Sequence, residues 1–288
     1  QRRVPADSGR LTWLHFAPSQ RAAFGAGQIK RVVFNQKGGV GKTSITCNLA
    51  AIDAAAGRRT LVIDLDVQGN TTHYLVGEID AEAFPAEAQG VAGLFKQTVG
   101  PRRMSRDPDA FVWETPYENL YLMPSSPTLA ELERELEARY KIYKLRDALA
   151  RLESEYDRIY IDTPPNFNFF SKSALIAADR VLIPFDCDSF ARQSLYALMD
   201  NIVELQEDHN DGLEVEGIVI NQFNGQARLP RELVAELESE GYPVLGTFLG
   251  SSVKMKESHY EHRPLIDLAP SHKLTQQYLA LHEVLDDA

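Results

Sequence analysis

The sequence predicts an α/β fold: a twisted, mostly parallel β-sheet flanked by helices on both faces, in a single domain over residues 30–288. Three observations carry this. Short apolar runs such as Arg31-Val32-Val33-Phe34, Thr60-Leu61-Val62-Ile63 and Gly217-Ile218-Val219-Ile220-Asn221 lack the polar alternation of a half-wet strand, so they read as strands buried on both faces. Stretches with helical spacing lie between them, as parallel crossovers require. A glycine-rich loop, Gln36-Lys37-Gly38-Gly39-Val40-Gly41-Lys42-Thr43-Ser44, joins the first run to the first helix.

Composition narrows the function classes. The 288 residues suffice for one large core, and a single α/β domain of this size is ordinary. Lys and Arg number 30 against 41 Asp and Glu, a formal charge of −11, so any DNA contact must use a local basic patch. Cys47 falls in a predicted helix and Cys187 at a predicted strand end, which indicates neither a disulfide framework nor a metal cluster. No apolar run approaches the roughly 20 residues that span a bilayer, and no signal-peptide core opens the chain. A soluble, cytoplasmic protein without a membrane partner is expected. Residues 1–29 mix arginines with Trp13, Phe16 and Phe24 without a steady period, and read as a flexible arm.

The elements follow in order. Ile45 to Ala56 is an alanine-rich helix ended by Gly57, and Thr60–Ile63 is a strand running into Asp64-Leu65-Asp66. Residues 78–118 are punctuated by prolines, with a short helix expected near Val91–Gln97 and a solvated basic loop at Arg102, Arg103 and Arg106. Leu120–Met123 is a strand stopped by Pro124. Leu129, Leu132, Leu136, Tyr140 and Tyr143 keep helical spacing, which Leu145, Leu149 and Leu152 resume after a break. Asp157–Asp162 is a strand ending in an acid, followed by Thr163-Pro164-Pro165. Residues 166–170 place three phenylalanines in an expected turn, where a partner subunit would cover them. Val181–Pro184 is a strand, Phe190–Leu205 a helix and Gly217–Asn221 a further strand. Arg228 and Arg231 open the next helix, Lys254 and Lys256 lie in a basic segment, and Lys273–Leu285 forms a last helix with an acidic end. His259 and His262 lack a third ligand nearby and are not read as a metal site.

The loop carries the chemistry. Its glycines let the backbone curl so that successive N–H groups face phosphate oxygens, and the helix N-terminus adds partial positive charge. Lys42 is placed to reach the β- and γ-phosphates, and Thr43 to offer its hydroxyl to Mg²⁺. The usual pattern G-x-x-x-x-G-K-[ST] fails, because its first glycine would fall on Gln36; the deviant form K-G-G-x-G-K-[ST] fits.

That deviant loop resembles the ParA/MinD family of P-loop ATPases, and the likeness runs over about residues 30 to 285. It implies an ATPase using ATP and Mg²⁺, with Gly38, Gly39, Val40, Gly41, Lys42, Thr43 and Ser44 around the phosphates. Lys37 stands at the family's signature lysine, which implies a homodimer in which each Lys37 reaches the partner's ATP. Asp64-Leu65-Asp66-Val67-Gln68-Gly69-Asn70 resembles switch I, with Val67 in place of the usual proline; Asp66 then positions the attacking water and lies with Asp64 near Mg²⁺. Asp162-Thr163-Pro164-Pro165 resembles Walker B and switch II, making Thr43, Asp66 and Asp162 the metal set. Asn221 is expected to read adenine. Arg228, Arg231, Lys254 and Lys256 are expected to face DNA, although Gly250-Ser251 replaces the family's usual Pro-Arg. The implied cycle is non-specific DNA binding by the ATP dimer, hence nucleoid association, and release when a ParB-like or other cargo-adaptor protein stimulates hydrolysis. The alternatives are a metabolic ligase similar to dethiobiotin synthetase, which needs no lysine in trans, and a MinD-like spatial regulator, whose basic membrane helix the acidic C-terminus does not match.

Overall fold

The computed structural model describes residues 28–77, 90–99, 106–188 and 191–287. The arm predicted at the N-terminus lies outside these up to residue 27, as do Arg102, Arg103 and Phe190.

Seven strands form one sheet in the order β3-β4-β2-β5-β1-β6-β7. They are β1 (Ile29–Val33), β2 (Thr60–Asp64), β3 (Trp113–Glu114), β4 (Leu120–Met123), β5 (Arg158–Asp162), β6 (Arg180–Asp186) and β7 (Glu214–Asn221). All neighbours pair in parallel except the edge strand β3, which runs antiparallel to β4. Every residue of β2 and β5 is buried.

The apolar runs are continuous because both faces of the sheet are covered. Side chains alternate along a strand, so Val32, Leu61, Ile63, Ile159, Ile161, Val181 and Ile183 enter one core while Val33, Val62, Tyr160 and Leu182 enter the other. The first core is closed by α3 (Gly90–Val99), α4 (Leu129–Ala138), α5 (Lys144–Leu149), α6 (Phe169–Ala177), α7 (Ala191–His209) and α8 (Arg228–Ser239). The second is closed by α1 (Lys42–Ala55), α2 (Asn70–Val76), α10 (Leu265–Leu268) and α11 (Lys273–Asp286), with α9 (Val253–Tyr260) beside α10. The break between α4 and α5 falls at Tyr140, whose φ of 54° no helix accommodates.

One expectation is overturned. The three phenylalanines of residues 166–170 do not wait for a partner subunit. Asn168 caps α6 in a reciprocal box with Ser171, and this turns Phe169 and Phe170 into the chain's own core, where they stack edge-on with Phe95. Phe167 packs on Phe34 with ring centroids 6.1 Å apart. Residues 166–168 do bend, but α6 begins at Phe169, and the burial of Phe169 and Phe170 comes from within the protomer.

The sheet end opposite the glycine loop is closed by a buried polar network. Arg31 clasps Glu216 (Nη2 to Oε1, 2.6 Å), and the Tyr160 hydroxyl donates to Asp53 Oδ2 at 2.6 Å. Arg58 bridges Asp53 and Asp286, and His282 Nε2 lies 2.8 Å from Asp53 Oδ1. Asp53, His282 and Asp286 converge closely enough to hold a metal ion, but the Arg58 guanidinium already supplies the cation there. Burial alone would raise the Asp53 pKa. The His282 hydrogen bond and the Arg58 charge outweigh it and hold that carboxyl well below its usual range.

Candidate active site

The carboxyl ends of β1, β2, β5, β6 and β7 converge where the glycine loop leaves β1, which is where parallel sheets hold ligands. The loop turns on Gly39 (φ 77°) and Gly41 (φ 97°). At Gly41 a side chain is disfavoured twice, because an added Cβ would lie 2.2 Å from Asn221 Nδ2 as well as adopting a left-handed conformation. Gly41 caps α1 without a side-chain hydrogen bond, and the first turn of α1 carries no acid. Uncapped N–H groups at a helix start suit a phosphate.

Lys42 is buried, and its Nζ donates to Lys37 O at 3.0 Å. Burial lowers its pKa, against the opposing pull of Asp162 and Asp66. Ser44 turns its hydroxyl to His259 Nε2 at 2.8 Å, which leaves its backbone N–H as the group it can offer a phosphate. His259 in turn stacks on Tyr74 with centroids 4.1 Å apart.

The acids lie beside the loop. Asp64 and Asp162 are register partners on β2 and β5, and both are fully buried. Asp162 Oδ2 accepts from Thr43 Oγ1 and from Thr71 Oγ1, each at 2.7 Å. Asp64 Oδ2 accepts from the backbone and hydroxyl of Thr72 at 2.8 and 2.7 Å. Burial raises both pKa values, and for Asp64 the neighbouring Asp162 charge adds to it. Two carboxyls facing each other in a dry site favour a shared cation, and with the Thr43 hydroxyl they make an all-oxygen donor set of the kind Mg²⁺ takes. Asp66 follows on the same loop. Its Oδ1 accepts from Gln68 N–H at 3.0 Å, and Ser125 Oγ donates to its carbonyl at 2.5 Å.

Lys37 is fixed at both ends by its own chain. Its N–H donates to Asn35 Oδ1 at 2.9 Å, and Asn35 Nδ2 donates to Pro184 O at 2.7 Å. Its ammonium is paired with Asp188 and lies 3.7 Å from Asp186 Oδ2. Burial would lower the Lys37 pKa; the two acids reverse that and raise it.

Known proteins resemble this chain along most of its length. An AAA domain family model matches residues 29–215. The chromosome partitioning protein ParA of Myxococcus xanthus is 33% identical over 253 residues, covering 86% of this chain and 84% of that protein. The chain belongs to the ParA family of ATPases. The chromosome-partitioning ATPase Soj of Treponema pallidum is 32% identical over 249 residues, covering 85% of this chain and 88% of its own. Among solved structures, apo McdA from Cyanothece shares the fold with a TM-score of 0.77 at 21% identity, over 88% of this chain and 98% of McdA. Cobyrinic acid a,c-diamide synthase from Mycobacterium smegmatis with bound ADP and magnesium superposes with a TM-score of 0.69 at 26% identity, over 81% of this chain and 91% of that one.

In this ParA-family ATPase, Lys37, the loop residues 38–44, Asp66, Asp162 and Asn221 all gather at one sheet edge. Arg228 and Arg231 start α8, where Arg228 pairs with Glu232 at 2.7 Å; Lys254 pairs with Glu257 on α9, and Lys256 is exposed. The sequence reading missed Asn35, Thr71, Ser125, Asp188 and Gln222. Thr71 sits inside the switch I pattern and Asn35 directly before the glycine loop, so both could have been found there; Ser125, Asp188 and Gln222 come from strand ends far away in sequence and carry no local signal.

Proposed function

We propose that this ATPase binds ATP with Mg²⁺ at the glycine loop and closes as a homodimer over two nucleotides, with Lys37 leaving Asp188 for the partner's phosphates. The observation that carries the reading is the division of labour between the two lysines: Lys42 is buried inside the loop, whereas the Lys37 ammonium stands at the rim on two acids. A loop that already holds one lysine over its own phosphates can give the other to a neighbour.

When bound, Mg²⁺ neutralises the phosphate oxygens and the Asp64–Asp162 pair. Thr43 and Asp162 would hold the ion, with Asp66 close by. Asp66 is a fixed acceptor that orients the attacking water, while Lys42 and the loop N–H groups hold the oxygens on which charge develops. Water adds to the γ-phosphorus, the bond to ADP breaks, and one proton is released with ADP and phosphate.

In the ATP dimer, Arg228, Arg231, Lys254 and Lys256 bind DNA without sequence preference, and hydrolysis stimulated by a ParB-like or cargo-adaptor protein releases it. The ATPase so acts as a timer that positions a chromosome region, a plasmid or another cargo. This fits the partitioning roles named for its relatives from M. xanthus and T. pallidum.

The decisive measurement is ATP turnover together with light-scattering mass for the wild type, Lys37→Ala and Asp66→Ala. Asp66→Ala should dimerise with ATP and hold DNA without turnover, and Lys37→Ala should stay monomeric. An Asp66→Ala protein that is monomeric and indifferent to DNA would sink the reading. The likeness to the M. smegmatis diamide synthase favours a second reading, an ATP-dependent ligase. A monomer that turns over ATP only with a carboxylic acid and an amine donor present would support it.

A further inference from the structure

The end of β7 meets the glycine loop through two consecutive amides. Asn221 Nδ2 donates to Val40 O at 2.9 Å, and Gln222 Nε2 donates to Gly39 O at 3.1 Å. A peptide unit is planar and trans, so its C=O and the following N–H point in opposite directions. Holding Val40 O toward β7 therefore aims the Gly41 N–H the other way, and holding Gly39 O does the same for the Val40 N–H. Those N–H groups belong to the curl that would cradle a phosphate.

The backbone is committed to this contact on both sides. A Cβ at Gly41 would lie 2.2 Å from Asn221 Nδ2, so it could be accommodated only by moving that amide off its contact with the loop. Gln222 is held at φ 55°, a left-handed conformation that is unfavourable for a residue with a side chain. Glycine would avoid that cost, yet glycine could not reach the Gly39 carbonyl. Asn221 itself is anchored by pairing with Asp186 at the end of β6, the acid near Lys37.

We propose that Asn221 and Gln222 are positioning residues for the phosphate cradle, holding two of its carbonyls so that the loop N–H groups face the phosphates whatever base the nucleotide carries. The inference deepens the ATPase reading and rests on it. It gives Asn221 a role that adenine recognition would not require, and gives Gln222 a role that sequence pattern alone did not reveal.

The test is displacement of a fluorescent ATP analogue by ATP, GTP and inorganic tripolyphosphate, each with Mg²⁺, from the wild type, Asn221→Ala, Gln222→Gly and the double variant. Thermal melting of each variant is recorded alongside. Gln222→Gly removes the amide while relieving the left-handed backbone, so it should melt at or above the wild-type temperature. It should nevertheless bind all three ligands about three- to tenfold more weakly, as should Asn221→Ala, with a larger loss in the double variant. A purely structural contact would not separate stability from affinity in this way. Wild-type affinity in Gln222→Gly overturns the proposal, and so does a loss in Asn221→Ala confined to ATP, which would make Asn221 a base reader. A wild-type chain that binds none of the ligands removes the ATPase reading and this inference with it.

Discussion

Lys37 forms an ion pair with Asp188 of its own chain, and Asp186 stands 3.7 Å behind it. The lysine proposed to serve a partner is thus held in cis by acids at the end of β6. Trans engagement must break this pair. Because the groups are partly exposed, its worth is small, up to about 1 kcal/mol.

Asp188→Ala should therefore assemble at up to about thirtyfold lower protein concentration in the presence of ATP, because two such pairs break per dimer. Sedimentation of the Asp66→Ala and Asp66→Ala/Asp188→Ala proteins measures this without turnover. The gap should narrow as salt is raised, since exposed pairs are screened. Unchanged assembly would mean that the cis pair does not compete.

The buried acid pair predicts a pH signature in the nucleotide-free protein. A carboxyl whose folded pKa is raised binds its proton more tightly when folded, so the stability it contributes falls as pH rises through that pKa. Asp162 is raised from 3.8 to about 6 and Asp64 to about 8, so stability from this pair falls as pH rises from the ordinary carboxyl range to those values. His259, whose pKa burial and then His262 and His73 depress, works in the opposite direction below its ordinary value. Melting temperature should accordingly fall less steeply with pH in Asp64→Asn than in the wild type. Added Mg²⁺ should stabilise the wild type more at the alkaline end.

The two left-handed loop glycines should differ in their tolerance of substitution. Gly39→Ala meets open space and costs only the conformational penalty, about 1 kcal/mol. Gly41→Ala also strikes Asn221, so ATP binding measured by calorimetry should fall at least tenfold further. Combining it with Asn221→Ala should recover part of that additional loss, because the clash is shared between the two positions.

At the opposite end of the sheet, Arg58→Met would remove the guanidinium that bridges Asp53 and Asp286, leaving Arg158 at 3.6 Å from Asp286 and His282 at 2.8 Å from Asp53. Removing one partner of a buried pair costs about 3–5 kcal/mol. Chemical denaturation should show a loss of that order, while the protein that remains folded at low temperature keeps its nucleotide affinity.

DNA binding by the ATP-locked Asp66→Ala dimer should weaken with salt, and each neutralised phosphate contributes about 0.9 to the slope of log affinity against log salt. Replacing Lys256 or Arg231 by Ala should lower that slope. Filter binding across salt concentrations would show an unchanged slope if these residues lie off the DNA surface.

Much of the fold was legible because six of the seven strands carry their own signature; the two-residue edge strand β3, in a stretch read as weakly patterned, does not. Runs such as Thr60–Ile63 read as fully buried, and the two cores that cover alternate residues explain why. The glycine loop, Lys42, Thr43, Asp66 and Asp162 were legible for a related reason: each motif is contiguous, and one helix and one strand between Lys42 and Asp66 return the chain to the same edge. The reading failed at Phe167, Phe169 and Phe170. Three aromatics in a short polar context resemble an exposed patch, and only the Asn168–Ser171 cap reveals a helix that turns them inward.

The sequence by itself determined the parallel α/β architecture, the place of the phosphate loop and the acids that accompany it, since all of these follow from residue type and local spacing. Tertiary structure alone decided that Lys37 rests on Asp188, that Asn221 and Gln222 grip the loop carbonyls and that Arg58 fills the space between Asp53 and Asp286. Those pairings join residues from different strands and helices. Spacing along one segment does not encode them; they exist only once the sheet order brings the strand ends side by side.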